Sequence, residues 1–194
     1  LGFAGSPMSL AFFMIAGSSP NQKHKEILEF IKDNPAFTQA LLERLIEITV
    51  NYLNYQISSG VHAVQLFESF SDLFSIDLYE KYLQPAHEKI FSSINPNTPS
   101  ILFTKESLHL GHMLQSGAKA LSVGNCIDLE AAKEKAPEMI FQGNVDNKII
   151  ADGSKEEITK SVEKCFAETN RKNHILNLNH GLLERTPFES VQHF

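Results

Sequence analysis

"HILNLNHGLLERTP", residues 174–187, alternates apolar and polar side chains up to a histidine, stops on a glycine, and enters a second apolar cluster closed by proline. A period of two over several residues is the pattern of a half-buried strand. On that reading Leu176 and Leu178 face a layer of helices, while Asn177 and Asn179 face the other way. His180 then emerges at the strand's C-terminal end, with Gly181 providing a sharp exit. Two readings of His180 stay open: a residue that shapes a turn, or a group the strand exists to present.

The rest of the chain supplies the sheet. Short apolar runs fall at 1–5, 63–68, 100–105, 120–124 and 139–144, which with 174–179 makes six candidate strands. Helical patterns separate them. In residues 37–60 Leu41, Leu45, Ile48 and Leu53 recur at helical spacing, and Gly60 stands where a C-terminal cap belongs. Residues 76–94 read as a helix bent at Pro85. "SKEEITKSVEKCFAET" (154–169) opens with Ser154 and Glu157 in capping-box spacing. Strands alternating with helices imply parallel pairing through right-handed crossovers. "GFAGSP" after the first strand is not G-x-G-x-x-G, which disfavours a dinucleotide-binding sheet. The predicted class is therefore α/β, a (β/α)8 TIM-type barrel, with about six of its eight βα units in the single domain 1–194. Such barrels run to about 250 residues, so the expectation is that two βα units precede Leu1.

Composition removes other classes. The 194 residues are 42% apolar and 21% charged, as in one globular domain. A net charge of −6 argues against a nucleic-acid partner or an anionic membrane surface. Arginine occurs only at Arg44, Arg171 and Arg185. Cys126 and Cys165 make neither a metal pair nor a disulfide framework, which suits a reducing cytoplasm. No apolar run is long enough to span a bilayer. The first 17 residues have the apolar core of a signal peptide but no basic start, and Pro7 interrupts them.

Barrel chemistry gathers at the C-terminal ends of strands. Those positions hold Ser6, Glu68, Ser69, Lys105, Glu106, Gln142, Asn144, Asp146, Asn177, Asn179 and His180. Ser69 is either a site residue or the N-cap of a short helix. Lys105 is either a ligand for an acidic group or a solvated rim lysine. Gln142 and Asn144 suit a polar barrel layer or the satisfaction of loop backbone. His109 and His112, in "HLGH", are two imidazoles without a third ligand nearby and read as a solvated helix face.

Together "LGFAGSPMSL", "AVQLFESF", "FQGNVD" and "HILNLNHGLLERTP" resemble the uroporphyrinogen decarboxylase family across essentially the whole chain. The resemblance implies a (β/α)8 barrel, a cytoplasmic homodimer, and removal of the four acetate carboxylates of uroporphyrinogen without metal or organic cofactor. It places His180 and Ser69 against the carboxylate side chains of the tetrapyrrole substrate and Phe3 against its macrocycle. The family's catalytic acid and arginines would lie before Leu1. Two positions depart from the family pattern: Phe13 stands where a substrate-binding tyrosine is expected, and Gly124 stands for the acid of the family's "GLDW" strand end. Two other readings follow: a tetrapyrrole-binding paralogue with impaired catalysis, and a corrinoid methyltransferase. The second would need a His-x-Cys zinc pair that "SILFTKES" lacks.

Overall fold

The computed structural model describes residues 1–20 and 22–194. Six strands, β1 (Gly2–Gly5), β2 (Val64–Glu68), β3 (Ser100–Thr104), β4 (Ala120–Ser122), β5 (Ile140–Gln142) and β6 (His174–Ile175), form one all-parallel sheet in sequence order. Each strand pairs with the next after a crossover, as the alternation requires.

The register explains the two faces. Ala4, Leu66, Leu102, Leu121 and Phe141 are successive partners across five strands, and all are buried beneath helices. The opposite face carries Phe67, Phe103, Ser122 and Gln142, again in register. Gln142 Nε2 donates to Ser122 Oγ at 3.0 Å and to Gln65 Oε1 at 3.3 Å. β2 and β5 are not neighbours in the sheet, so a contact between their side chains means that the sheet curls around its own inner face. These are six strands of a TIM-type barrel, with Gln65, Ser122 and Gln142 as a polar layer inside it.

The helices follow their sequence signals with instructive exceptions. After α1 (Pro7–Ala16) and α2 (His24–Asp33), the long α3 (Pro35–Ser58) buries Thr38, Leu42, Leu45, Thr49 and Leu53. Leu45 and Leu53 were expected there. Leu41 is only half-buried and Ile48 is 48% exposed, because two threonines take the core positions that an apolar count assigns elsewhere. Gly60 follows α3 with φ +95°, a cap conformation that glycine adopts without strain.

The helix at 76–94 is interrupted, but ahead of Pro85. A turn of α4 (Ile76–Leu78) passes into a π-helical turn at Tyr79–Leu83 and then into α5 (Gln84–Ser93). Pro85 has no N–H for the carbonyl one turn back, and the wider turn accommodates the missing bond.

The short α6 (Leu110–Met113), α7 (Leu129–Lys135) and α8 (Asn147–Asp152) follow β3, β4 and β5, and α10 (Phe188–His193) closes the described chain. In α9 (Lys155–Glu168) both capping-box bonds form: Glu157 N donates to Ser154 Oγ, and Ser154 N donates to Glu157 Oε2. The strand predicted over 174–179 is regular only at His174–Ile175, with one further bridge between Val145 and Leu178. Asn177 Oδ1 accepts from Leu178 N at 2.8 Å, while the backbone bonds run on, from Val145 N to Asn177 O and from Asn179 N to Val145 O.

Candidate functional site

At the C-terminal ends of the strands the inner face opens into a cleft of ≈ 510 Å³ whose walls include Leu1, Gln65, Phe67, Ser69, Phe103 and His180. The aromatic rings form a continuous row. Phe3 meets Phe67 edge-on with centroids 6.0 Å apart, Phe67 meets Phe103 at 5.2 Å, and Phe103 meets the His180 imidazole at 6.0 Å. Edge and tilted contacts of this kind suit the quadrupoles of aromatic rings. The row leaves Phe3 60% exposed, an apolar wall facing open space above the polar Gln65–Ser122–Gln142 layer.

A buried knot fixes one side of this mouth. The Glu68 carboxyl is 0% exposed; it accepts from Ser6 Oγ and, at 2.8 Å, from Ser9 Oγ, with His87 Nε2 at 3.4 Å. Ser9 Oγ also accepts from Ser69 N at 2.8 Å, so the backbone of Ser69 is tied to the start of α1. Ser69 does not cap a helix: the next short turn, Ser71–Leu73, begins from Phe70 with no side-chain cap. Its side chain belongs to the cleft wall. Beside the knot, burial first and the Glu68 carboxyl second push the Tyr79 hydroxyl well above the usual phenol range. His87 was not among the sequence candidates; it lies on α5 and reaches Glu68 only through the fold.

On the neighbouring strand, just past the Thr104 partner of Glu68, Glu106 reaches the other way, to the loops after β4 and β6. Its Oε1 accepts from Asn179 Nδ2 at 2.9 Å and its Oε2 accepts from Cys126 N at 3.1 Å. Asn179 Oδ1 accepts from Asn147 N at 2.9 Å, and Asn147 Nδ2 donates to Gly181 O at 2.7 Å. Asn144 Nδ2 donates to the carbonyls of Gly124 and Ile127, the loop-backbone role predicted for it. Asp146 caps α8 by accepting from Lys148 N.

His180 sits between these parts. Its pKa lies below the ordinary value of 6.5, first because the mouth desolvates it and then because Lys105 is near; Glu106 and Asp72 oppose the shift. The imidazole is therefore neutral at neutral pH and offers one N–H donor and one acceptor. Asp72 is raised, chiefly by desolvation, against the pull of Lys105 and His24. Cys126 is pushed up to about 11 by desolvation and by the Glu106 carboxylate, so its thiol stays protonated and is no nucleophile.

Several expectations are revised. Gly181 has an ordinary φ, so the exit from the strand does not depend on glycine. His109 and His112 are not a solvated face: they are half-buried against Tyr79, at 4.7 and 5.8 Å, and bond to Phe74 O and Gln84 Oε1. Ser69 and His180 line the one cleft; Phe3 stands beside it, edge-on to the wall residue Phe67, and Phe13 on α1 is outside the cleft wall. It is half exposed and packs at 5.9 Å on Phe70, the residue after Ser69. None of the three arginines reaches the cleft wall. Arg44 pairs with Glu47, Arg185 with Asp152, and Arg171 lies over the Phe166 ring. A larger depression of ≈ 880 Å³ lies elsewhere, between the loops after β4 and β5 and helices α8 and α9.

Comparison with known proteins gives the fold and the family. A solved methyltransferase from Methanosarcina mazei shares the fold with a TM-score of 0.82 at 20% identity, over 98% of this chain and 56% of that one. The uroporphyrinogen decarboxylase of Prochlorococcus marinus (strain MIT 9215) is 33% identical over 199 residues, covering 100% of this chain. That of Synechococcus sp. (strain CC9605) is also 33% identical. The chain spans about 57% of the length of these curated relatives. The family profile described as uroporphyrinogen decarboxylase (URO-D) matches residues 1–194, from the first residue to the last. The chain belongs to the uroporphyrinogen decarboxylase family.

Proposed function

We propose that the protein containing this chain removes the acetate carboxylates of uroporphyrinogen to give coproporphyrinogen, and that 1–194 supplies six βα units of a barrel whose first two lie before Leu1. The observation that carries this reading is the Phe3–Phe67–Phe103–His180 row. It is an extended apolar wall for a macrocycle, bordered by hydrogen-bonding groups suited to carboxylate side chains.

Loss of CO2 from a pyrrole acetate leaves an electron pair that needs a sink. A protonated pyrrole ring provides it, so the substrate itself does the work of an organic cofactor. The protein has to orient the macrocycle and hold its carboxylates. On this reading Phe3 and Phe67 pack on the ring, while the neutral His180 and the Ser69 hydroxyl donate to carboxylate side chains. Lys105 is the cation of this chain that acts on His180. One lysine does not neutralise eight carboxylates, which is why we place the arginines and the catalytic acid in the preceding segment. Cytoplasmic location and a homodimer are part of the same proposal.

Phe13 supports a second reading, an impaired tetrapyrrole-binding paralogue, because a ring without a hydroxyl removes one donor. Turnover of uroporphyrinogen by the protein expressed from its complete coding sequence, with products separated by carboxylate number, decides between them. Stepwise loss of four carboxylates is expected. Binding of the substrate without any loss would establish the paralogue, and neither binding nor turnover would remove both.

A further inference from the structure

We infer that Glu106 is a positioning residue for His180, holding the histidine's backbone through a relay that joins three strand-end loops. The inference rests on the reading of His180 as a substrate-facing group.

Glu106 follows β3, yet both of its carboxylate oxygens are spent on other loops: Oε1 on Asn179 of the β6 loop, Oε2 on Cys126 N of the β4 loop. Asn179 immediately precedes His180. Its amide is oriented at both ends, since Nδ2 donates to Glu106 while Oδ1 accepts from Asn147 N. Gly181 immediately follows His180, and its carbonyl accepts from the Asn147 side chain. The residues on either side of His180 are thus anchored while the imidazole, seated against Phe103, is left free of any side-chain hydrogen bond partner among the described residues. No side chain bonds the ring, whose hydrogen-bond partner is the Gly181 backbone, and a ring nitrogen is left open to a ligand.

Two features show that the chain maintains this arrangement against local preferences. Glu106 has φ +45°, an uncommon conformation for a residue with a β-carbon. Gly124 faces it: a Cβ there would lie 2.7 Å from both Cδ and Oε2 of Glu106 and 2.8 Å from its Cα. The carboxylate occupies space that only a glycine at 124 leaves.

Lys105, Glu106 and Asp72 are the charged groups acting on His180, and of these Lys105 favours the neutral ring while the two acids favour the protonated one. Glu106→Gln removes one acid and one of the two acceptors. Gly124→Ala leaves Glu106 chemically intact and pushes it out of place. Both variants are made in the protein with its complete coding sequence. The His180 imidazole is titrated by NMR without substrate, beside the circular dichroism of each variant and its kcat/KM on uroporphyrinogen. The expected result is a native fold, a His180 pKa moved further down in both variants, and a loss of about tenfold in kcat/KM for Glu106→Gln. Glu106→Asp, which keeps the charge, should recover part of the shift. An unmoved His180 titration in both folded variants overturns the positioning role. A moved titration with unchanged kinetics keeps the relay but removes His180 from the substrate site, so the two readings fail separately.

Discussion

Two acids flank the mouth of this barrel from neighbouring strands, Glu68 at the end of β2 and Glu106 just after β3, and they do so by different physics. Glu68 has no contact with solvent and binds two serine hydroxyls and an imidazole, all from elements that pack behind the strand ends. Glu106 is half exposed and binds a backbone N–H and an amide on two other loops. The first arrangement is a buried polar cluster, costly to break because each partner would be stranded in a dry interior. The second is a tether at a wet rim, where lost hydrogen bonds are partly replaced by water. The knot sets where the wall stands, and the tether sets where His180 stands.

That contrast fails first if Glu68 proves dispensable. Glu68→Ala strands Ser6, Ser9 and His87 and should cost about 3–5 kcal/mol of stability, measured by denaturant unfolding. A cost near that of an exposed substitution would place both acids in the same class.

Next in size is the site itself. In the protein expressed from its complete coding sequence, His180→Asn should unfold at the parent temperature while kcat/KM on uroporphyrinogen falls by an amount worth about 1–3 kcal/mol. Partly decarboxylated intermediates should accumulate. A lowered melting temperature with unaltered kinetics would return the histidine to a turn.

Ser69→Ala tests the opposite edge of the cleft. Its backbone stays tied to Ser9 in the variant, so only a neutral donor is lost, and the expected kinetic penalty is about 0.5–1.5 kcal/mol.

The smallest effect expected is a pH dependence. The folded imidazole of His180 holds a proton more weakly than its ordinary value of 6.5 implies. The unfolded chain therefore takes up more protons as the pH falls below 6.5. The stability tied to the neutral ring is complete above that value and is lost as the pH descends through it toward the folded-state pKa. His180→Asn should flatten this part of the stability curve; an identical slope in both proteins would assign it to another group.

How much of this was legible in the sequence depended on the distance over which each residue acts. The strands were visible because parallel strands covered by helices read as short apolar runs, and Leu66, Leu102 and Leu121 each sit in one. The capping box at Ser154 was visible because both partners lie within one turn. On α3 the apolar spacing revealed the helix but not its buried face, because Thr38 and Thr49 are core residues with polar names. Ser69 and His180, singled out by their position at strand ends, both line the cleft. The roles of Glu68 and Glu106 were not legible, since a strand-end acid looks the same in sequence whether it is buried or bridging. The Glu106–Asn179 bond spans 73 residues, and no local pattern announces it. His87, in the middle of a helix, carried no signal at all.

Gly124 departs from the acid expected at its strand end, and by itself that looks like a loss. The contact with Glu106 makes it one half of an exchange. Any side chain at 124 and the present pose of Glu106 exclude each other, with the β-carbon 2.7 Å from the carboxylate. A lineage passing between the two arrangements cannot hold both acids in place at once; it must vacate one strand end before the neighbouring acid can lean across. The two positions are sterically coupled, and a side chain that position 124 would tolerate without this glutamate is a clash here.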